Sequence, residues 1–410
     1  TAAVLALKAG DVLCLRDGTY YEAIAPRTNG TATSPITIRP LSDGAVTIDG
    51  QGVRKPLNLG EGTGGGNWFV IEGLVLRNGP EHVAIVKASN NVLRRVSVYD
   101  ANTQVNSQAL LIWGTGNTIE SCIVAGSSRF AVDLFGGGGA NPIGNNTVRQ
   151  CFVMWEEWQG KNFCGIHWPG VFALGVYNSS QNRLESNIVY GKTVTNLIVQ
   201  ANSSDASASN NQVLGNISLL AGKDYDGSLW HYGSPTWPNV TRPQPTSNPY
   251  GGANCDTNVI DWSWPGQRIG SQLFGQGVLS SNVFRDNLIG GAAGLGFGVH
   301  NPGGGRYSGN VFDRFTLVGN GSDTASVDGG KGAQVQPAMR SNLTNSCISP
   351  APSGFTQGAG ADVRYVYKDG VKTSTPLLPW PMEQRGRDEL GISITAIAQE
   401  WIDKAEAACN

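Results

Sequence analysis

Two stretches concentrate the residues able to do chemistry. The first, WEEWQGKNFCGIHWPGV from Trp155, sets Glu156, Glu157 and His167 among Trp155, Trp158 and Trp168. The second opens with GKDYDG at Gly222 and supplies Lys223, Asp224 and Asp226, then Trp230 and His231. Aromatic faces stack on the apolar faces of sugar rings while flanking polar groups orient the hydroxyls. The two stretches together therefore read as a glycan platform. They also hold the parts for β-elimination from a uronic acid. That reaction needs a group to neutralise the carboxylate, commonly Ca2+ held by acidic side chains, and a base of lowered pKa to take the C5 proton. Lys223 and Lys192, with His231, are the candidate catalytic residues, and Glu156, Glu157, Asp224 and Asp226 the candidate Ca2+ ligands. Trp155, Trp158, His167, Trp168, Trp230 and Asp133 are the candidate substrate contacts. Each has a plainer reading: the tryptophans pack over a sheet edge, and Asp133 bonds a turn or Arg129.

The elements that must position these residues repeat. NNVLRRVSVYD, GNTIESCIVAG, NNTVRQCFVMW and QNRLESNIVYG are four versions of one pattern between Asn90 and Gly191, and NNQVLGNISLL from Asn210 is a fifth. Looser versions stand at SNVFRDNLIGG, SGNVFDRFTLV and, ahead of the series, GNWFVIEGLVLRNG. An Asn-rich turn, an alternating strand and a second apolar strand recurring in this way mark a solenoid. The expected fold is all-β, a right-handed parallel β-helix with a short N-terminal cap and a C-terminal helical tail. Residues 1–50 form the cap and first coils, 51–335 the β-helix with excursions at 155–171 and 233–257, and 336–410 the tail.

Aligning the repeats predicts one inward column: Gly73, Val96, Cys122, Cys151, Asn187, Asn216, Asn287 and Phe315. Stacked strands lie about 4.8 Å apart, so Asn187 and Asn216 form an amide ladder, while Cys122 and Cys151 form a disulfide or a pair of stacked thiols. The step of 71 residues from Asn216 to Asn287 is long enough for two coils and an excursion. A further strand per coil reads HVAIVKA, QALLIWG, FAVDLFG, FALGVYN, NLIVQAN, SLWHYGS, IGSQLFG and LGFGVHN, giving a parallel sheet with an exposed face that carries Asp133. In the tail, Ile394, Ile397, Ala398 and Trp401 make one stripe of an amphipathic helix, and Cys347 and Cys409 are placed to tie it down.

The opening of the chain carries a resemblance. Gly10-Asp11-Val12 through Asp17-Gly18-Thr19-Tyr20, followed by Ser34-Pro35-Ile36-Thr37-Ile38, resembles the first coils of secreted β-helix proteins, among them polysaccharide lyases of the chondroitinase B/alginate lyase type and the pectate lyases. The resemblance implies an extracellular or cell-surface protein that binds a polysaccharide and cleaves it by β-elimination. The same opening occurs on non-catalytic β-helices, so the alternative is a structural or adhesive surface protein: a filament subunit, an adhesin or a spike-like receptor binder. A glycosidase is the third reading, and it would want clustered Asp where the mid-helix strands offer Asp133.

Composition excludes other classes. With 56 Gly, 3 Met and 15% charged residues among 410, the chain suits tight turns and short strands rather than helices. A net charge of −2 creates no field toward nucleic acid or an anionic membrane. No stretch approaches the roughly 20 apolar residues of a membrane span. A homo-oligomer or filament is compatible with the sequence. Eight N-x-S/T sequons, at Asn29, Asn145, Asn178, Asn202, Asn216, Asn239, Asn320 and Asn342, permit glycosylation, although Asn, Ser and Thr crowd β-helix turns in any case.

Overall fold

The computed structural model describes residues 2–102, 107–126, 128–137, 143–155, 172–191, 195–222, 269–301, 306–328 and 343–409. Three parallel sheets, A, B and C, hold eleven, eleven and nine strands among these residues. The chain visits A, B and C in turn, and each strand pairs with its counterpart one coil on, as Thr118–Glu120 does between Val92–Arg94 and Thr147–Arg149. This is the right-handed parallel β-helix that the repeats predict. Alternation along each strand turns one set of apolar side chains inward. Leu93, Ile119, Val148, Leu184, Val213 and Phe284 thus stack from sheet A into one continuous core.

Sheet A passes into sheet B through two residues. The first is left-handed, with φ of 54° at Arg95, 51° at Ser121 and 48° at Gln150, and the second points inward. The predicted inward column holds from Val96 onward, but Gly73 does not belong to it. Gly73 has φ 66° and donates its N–H to Arg94, as Arg95 does to Glu120, so it takes the left-handed turn position. Leu74, wholly buried, fills the column at that coil.

Cys122 and Cys151 are buried free thiols, each bonded to backbone carbonyls, which decides for stacked thiols. Below them Asn187 Nδ2 bonds Asn216 Oδ1 at 3.0 Å, and Asn216 Nδ2 bonds Asn287 Oδ1 at 3.1 Å. The 71-residue step is therefore one coil with a long insertion, not two coils. Likewise Thr195–Ala201 pairs directly with Ile269–Gly275, and SLWHYGS lies outside the described residues. A second, longer ladder runs where sheet C passes into sheet A: Asn91, Asn117, Asn146, Asn182, Asn211, Asn282 and Asn310, each amide bonding the next. Buried amides must be satisfied, and stacking identical residues satisfies them coil after coil. Asn216 is one of the eight sequons, and its complete burial withholds it from modification in the folded chain.

The N-terminal helix α1, Ala2–Leu5, is a single turn. Past the last coil, helix α2 (Glu383–Leu390) and helix α3 (Ile394–Cys409) lie along the outer face of sheet B, and the hairpin Tyr365–Lys368/Val371–Pro376 bridges from Val366 beside it to Glu185 on sheet A. Ile394, Ala398 and Ile402 of α3 pack there with Ile188, Ile217 and Leu288 of the sheet. The hairpin is tied down by Asp286, wholly buried, which accepts from Arg314, Tyr367 and Lys372. Burial pushes the Asp286 carboxyl up, but those bonds outweigh it and hold its pKa at about 2.

Cys347 and Cys409 form the expected disulfide. Closing a span of 62 residues, it should stabilise the tail by about 2–4 kcal/mol. Cys409→Ser is expected to speed hydrogen exchange across α3. Unchanged protection there would mean that apolar packing alone holds the helix.

Candidate functional site

Two of the three outer faces are already engaged. Sheet B lies under the tail. On sheet A, Glu72, Arg94, Glu120, Arg149 and Glu185 stack with alternating charge, Arg94 bonding Glu120 at 2.6 Å and Glu72 at 3.2 Å, and Arg149 bonding Glu120 at 2.5 Å. Glu185 at the end of this row accepts the backbone N–H groups of Asp369 and Gly370 from the hairpin. Among the described residues, the outer side of sheet C carries a cavity, although its outward residues, Ile85, Asp133 and Ile198 among them, are buried.

Register sets Ile85, Leu111, Asp133, Gly175 and Ile198 in one outward column of sheet C. Two residues further along the strands, Phe135 and Tyr177 stand side by side, with Trp113 and Lys87 continuing the row. Trp113 meets Phe135 edge-on at 5.0 Å, and Phe135 lies 5.3 Å from Tyr177. Lys87 Nζ sits 4.1 Å above the Trp113 ring. On the other side of the column Phe130 stacks on Phe172 at 4.1 Å, with the Arg129 guanidinium 4.6 Å over Phe130. Between the two aromatic walls is a cavity of about 350 Å³, floored by Asp133, Leu111 and Gln108 and rimmed by Glu81, His82 and Asn178.

Asp133 is the unusual group. It is 1% exposed, its Oδ2 takes one long bond from Gln108 Nε2 at 3.4 Å, and its Oδ1 has no partner. Burial pushes its pKa up to about 8, against the smaller opposing effects of Gln108 and the Arg129 charge. The acid is therefore mostly protonated at neutral pH. Burial likewise lowers His82 and Arg129 and raises Tyr177 from their ordinary values. His82 Nδ1 accepts the Gln108 backbone N–H at 3.3 Å, which leaves the neutral ring's proton on Nε2, 3.5 Å from Glu81. Four perturbed titratable groups around one cavity make it the candidate site.

The sequence-predicted residues fare unequally. Asp133 lies on the sheet face expected, bonded to Gln108 rather than to a turn or Arg129. Trp155 does not offer a ring to a ligand. It is wholly buried in the inner core, its indole donating to Ser128 O at 2.6 Å, because register with Gly126 turns it inward at the end of its strand. Glu156, Glu157, Trp158, His167, Trp168, Lys192, Lys223, Asp224, Asp226, Trp230 and His231 lie outside the described residues. The described ends around them are informative. Sheet B strands ending at Trp155, Tyr190 and Leu219 are neighbours on three successive coils, and the chain returns at Phe172, Thr195 and Ile269, neighbours on sheet C. Among the described residues, no group of three or more His, Cys, Asp or Glu stands together as a metal site. Sequence reasoning missed His82, Gln108, Trp113, Arg129 and Tyr177. The signal was present in HVAIVKA, QALLIWG, FAVDLFG and FALGVYN, had their outward positions been compared across coils.

The comparisons with known proteins agree with this architecture. The first 152 residues match the chondroitinase B family model. That span contains Asp133 and most of the cleft around it, and it confirms the resemblance to β-helix lyases at the level of fold. No curated protein is matched by the sequence. Among solved structures, a pectate lyase is similar at 14% identity and a TM-score of 0.42, covering 92% of this chain and 82% of that one. A mannuronic acid specific family 6 polysaccharide lyase from human gut microbiota is similar at 12% identity and a TM-score of 0.44, covering 84% and 75%. A PL6 family lyase from Pseudopedobacter saltans is similar at 13% and 0.44, covering 79% and 76%. No helix among the described residues is long and apolar enough to cross a membrane.

Proposed function

We propose that this chain is an extracellular polysaccharide-binding β-helix that seats saccharide units in the sheet C cleft and cleaves the chain by β-elimination. The observation that carries the reading is Asp133: a buried carboxyl with an unpartnered oxygen, on the floor of a cavity walled by aromatic rings. Apolar walls with a few convergent polar groups are what a sugar ring requires. In this reading Lys192, Lys223 or His231 takes the C5 proton; the C–H electron pair forms the C4–C5 double bond as the glycosidic C4–O bond breaks, and the departing oxygen takes a proton from water. If Ca2+ neutralises the uronate, Glu156, Glu157, Asp224 and Asp226 are its proposed ligands, and no role assigned to the cleft depends on it.

Two measurements test this. Mixing the protein with alginate, pectate, chondroitin and glucuronan, with and without Ca2+, should give the ultraviolet absorbance of an unsaturated uronate, lost in Lys223→Ala if that lysine is the base. Trp113→Ala should weaken binding of the responsive polymer about tenfold, equivalent to ~1.4 kcal/mol, by calorimetry. Binding without absorbance or new reducing ends would turn the reading to the non-catalytic adhesive alternative. Neither binding nor cleavage would remove it.

A further inference from the structure

Other buried carboxylates here serve the fold. Glu185 and Asp286 are wholly buried and accept from hairpin N–H groups or from Arg314, Tyr367 and Lys372. Asp133 is as buried, yet no ion pair closes on it and Oδ1 is bare, although native folds keep few such atoms. Its surroundings exclude water on one side. Gly175, next in the column, has no side chain, and the Phe172 ring occupies that space so closely that a Cβ there would come within 2.5 Å of it. Trp113, Phe135 and Tyr177 line the cavity on the other side.

We propose that Asp133, in its neutral acid form, is a carboxylate receptor: its O–H donates from the cleft floor to the carboxylate of an acidic sugar whose ring lies between the aromatic walls. The inference rests on the polysaccharide reading above and assigns this residue the task of holding the sugar's acid group. The neutral acid is the form of this residue that admits a carboxylate, and its pH dependence separates that ligand from a hydroxyl. A sugar hydroxyl can bond an ionised aspartate as well as a neutral one. A carboxylate can approach only the acid form, because two like charges at hydrogen-bond distance cannot both persist. Arg129, in the same cavity, supplies positive charge to the pair.

Among the described residues, the charged and titratable groups facing Asp133 are Glu81 and His82 from the segment before Ala84–Val86, Arg129 before its own strand, and Tyr177 from the next strand. Lys87 is held over Trp113 and by Glu61 at 3.2 Å. His82 is neutral through the upper pH range, since burial lowers its pKa, and Tyr177 stays protonated, since burial raises its own. Asp133 is then the group that changes charge near pH 8.

The test is calorimetric titration of the full chain between pH 6 and about 9.5 with oligomers of galacturonate, mannuronate and glucuronate, and with their carboxyl-reduced counterparts. Wild-type affinity for an acidic oligomer should hold below pH 8 and fall about tenfold per pH unit above it. Asp133→Asn, which keeps a neutral donor, should bind at all these pH values without the fall, and Asp133→Ala should bind weakly throughout. Reduced oligomers should bind more weakly and independently of pH. Acidic oligomers that bind wild type with no pH dependence, or reduced ones that bind equally well, would overturn the receptor while leaving the polysaccharide reading intact. No binding of either kind would overturn both. Circular dichroism melts of each variant establish that it is folded.

Discussion

Asn216→Ala should lower stability by on the order of 5 kcal/mol, a large share of what a folded domain has. Asn216 Oδ1 accepts the backbone N–H of Asn187 at 2.9 Å and its side-chain amide at 3.0 Å, while Nδ2 donates to Leu184 O at 2.8 Å. Alanine leaves the Asn187 backbone N–H buried without that partner and removes one bond each from Leu184 O and from the Asn187 amide, which keeps Val148 O, at about 1–3 kcal/mol each. The damage should be local, because a solenoid's coils depend mainly on their neighbours. Hydrogen exchange should rise first between the strands Arg183–Glu185 and Val283–Arg285. Asn310, half-buried at the end of the other ladder, makes a graded control: its alanine variant should cost less, since water can replace the lost partners. A urea midpoint for Asn216→Ala equal to wild type would mean that the ladder only decorates the core.

Asp133→Asn should stabilise the folded protein, and only above acidic pH. In the unfolded chain an aspartate titrates near 3.9, whereas in the fold Asp133 titrates at about 8. Between those values the folded chain binds the extra proton, so wild-type stability declines as pH rises across that window and levels off above it. At 1.36 kcal/mol per unit the full decline is on the order of 5 kcal/mol, an upper bound that solvent reorganisation around the ionised group would reduce. Asparagine carries no such liability. The two proteins should have matching urea midpoints near pH 4 and diverge steadily to pH 8. Parallel profiles would mean that Asp133 ionises in the fold without penalty, and the cleft would lose its most unusual property. A group that weakens the fold at neutral pH is what a binding site is expected to retain.

Much of the architecture is written locally. The solenoid, its inward column from Val96 to Phe315, the amide ladder at Asn187 and Asn216 and the amphipathic stripe at Ile394 all follow from strand alternation and from like residues recurring once per coil. The pairing of Cys347 with Cys409 was also within reach, as the cysteines that flank the tail. Gly73 and Trp155 show where that reasoning stops. Each left-handed corner residue shifts the alternation by one, so inside and outside must be set anew in every strand. Gly73 took the corner rather than the column, and Trp155 turned inward although its loop suggested a surface. The long insertion before Ile269 hid a direct contact between Asn216 and Asn287, since sequence distance says nothing about coil count.

The cleft was the least legible part. His82, Gln108, Asp133 and Tyr177 come from four successive coils at unequal spacings, and none belongs to a motif. The sequence by itself determined a stack of coils and its inner column. Only the tertiary structure decided which outer face carries the cavity, because charge pairing across sheet A and burial of sheet B under the tail are long-range events. It also decided that Asp133 would be neutral, since a carboxyl's pKa follows from the rings and dipoles packed around it, and those arrive from other coils.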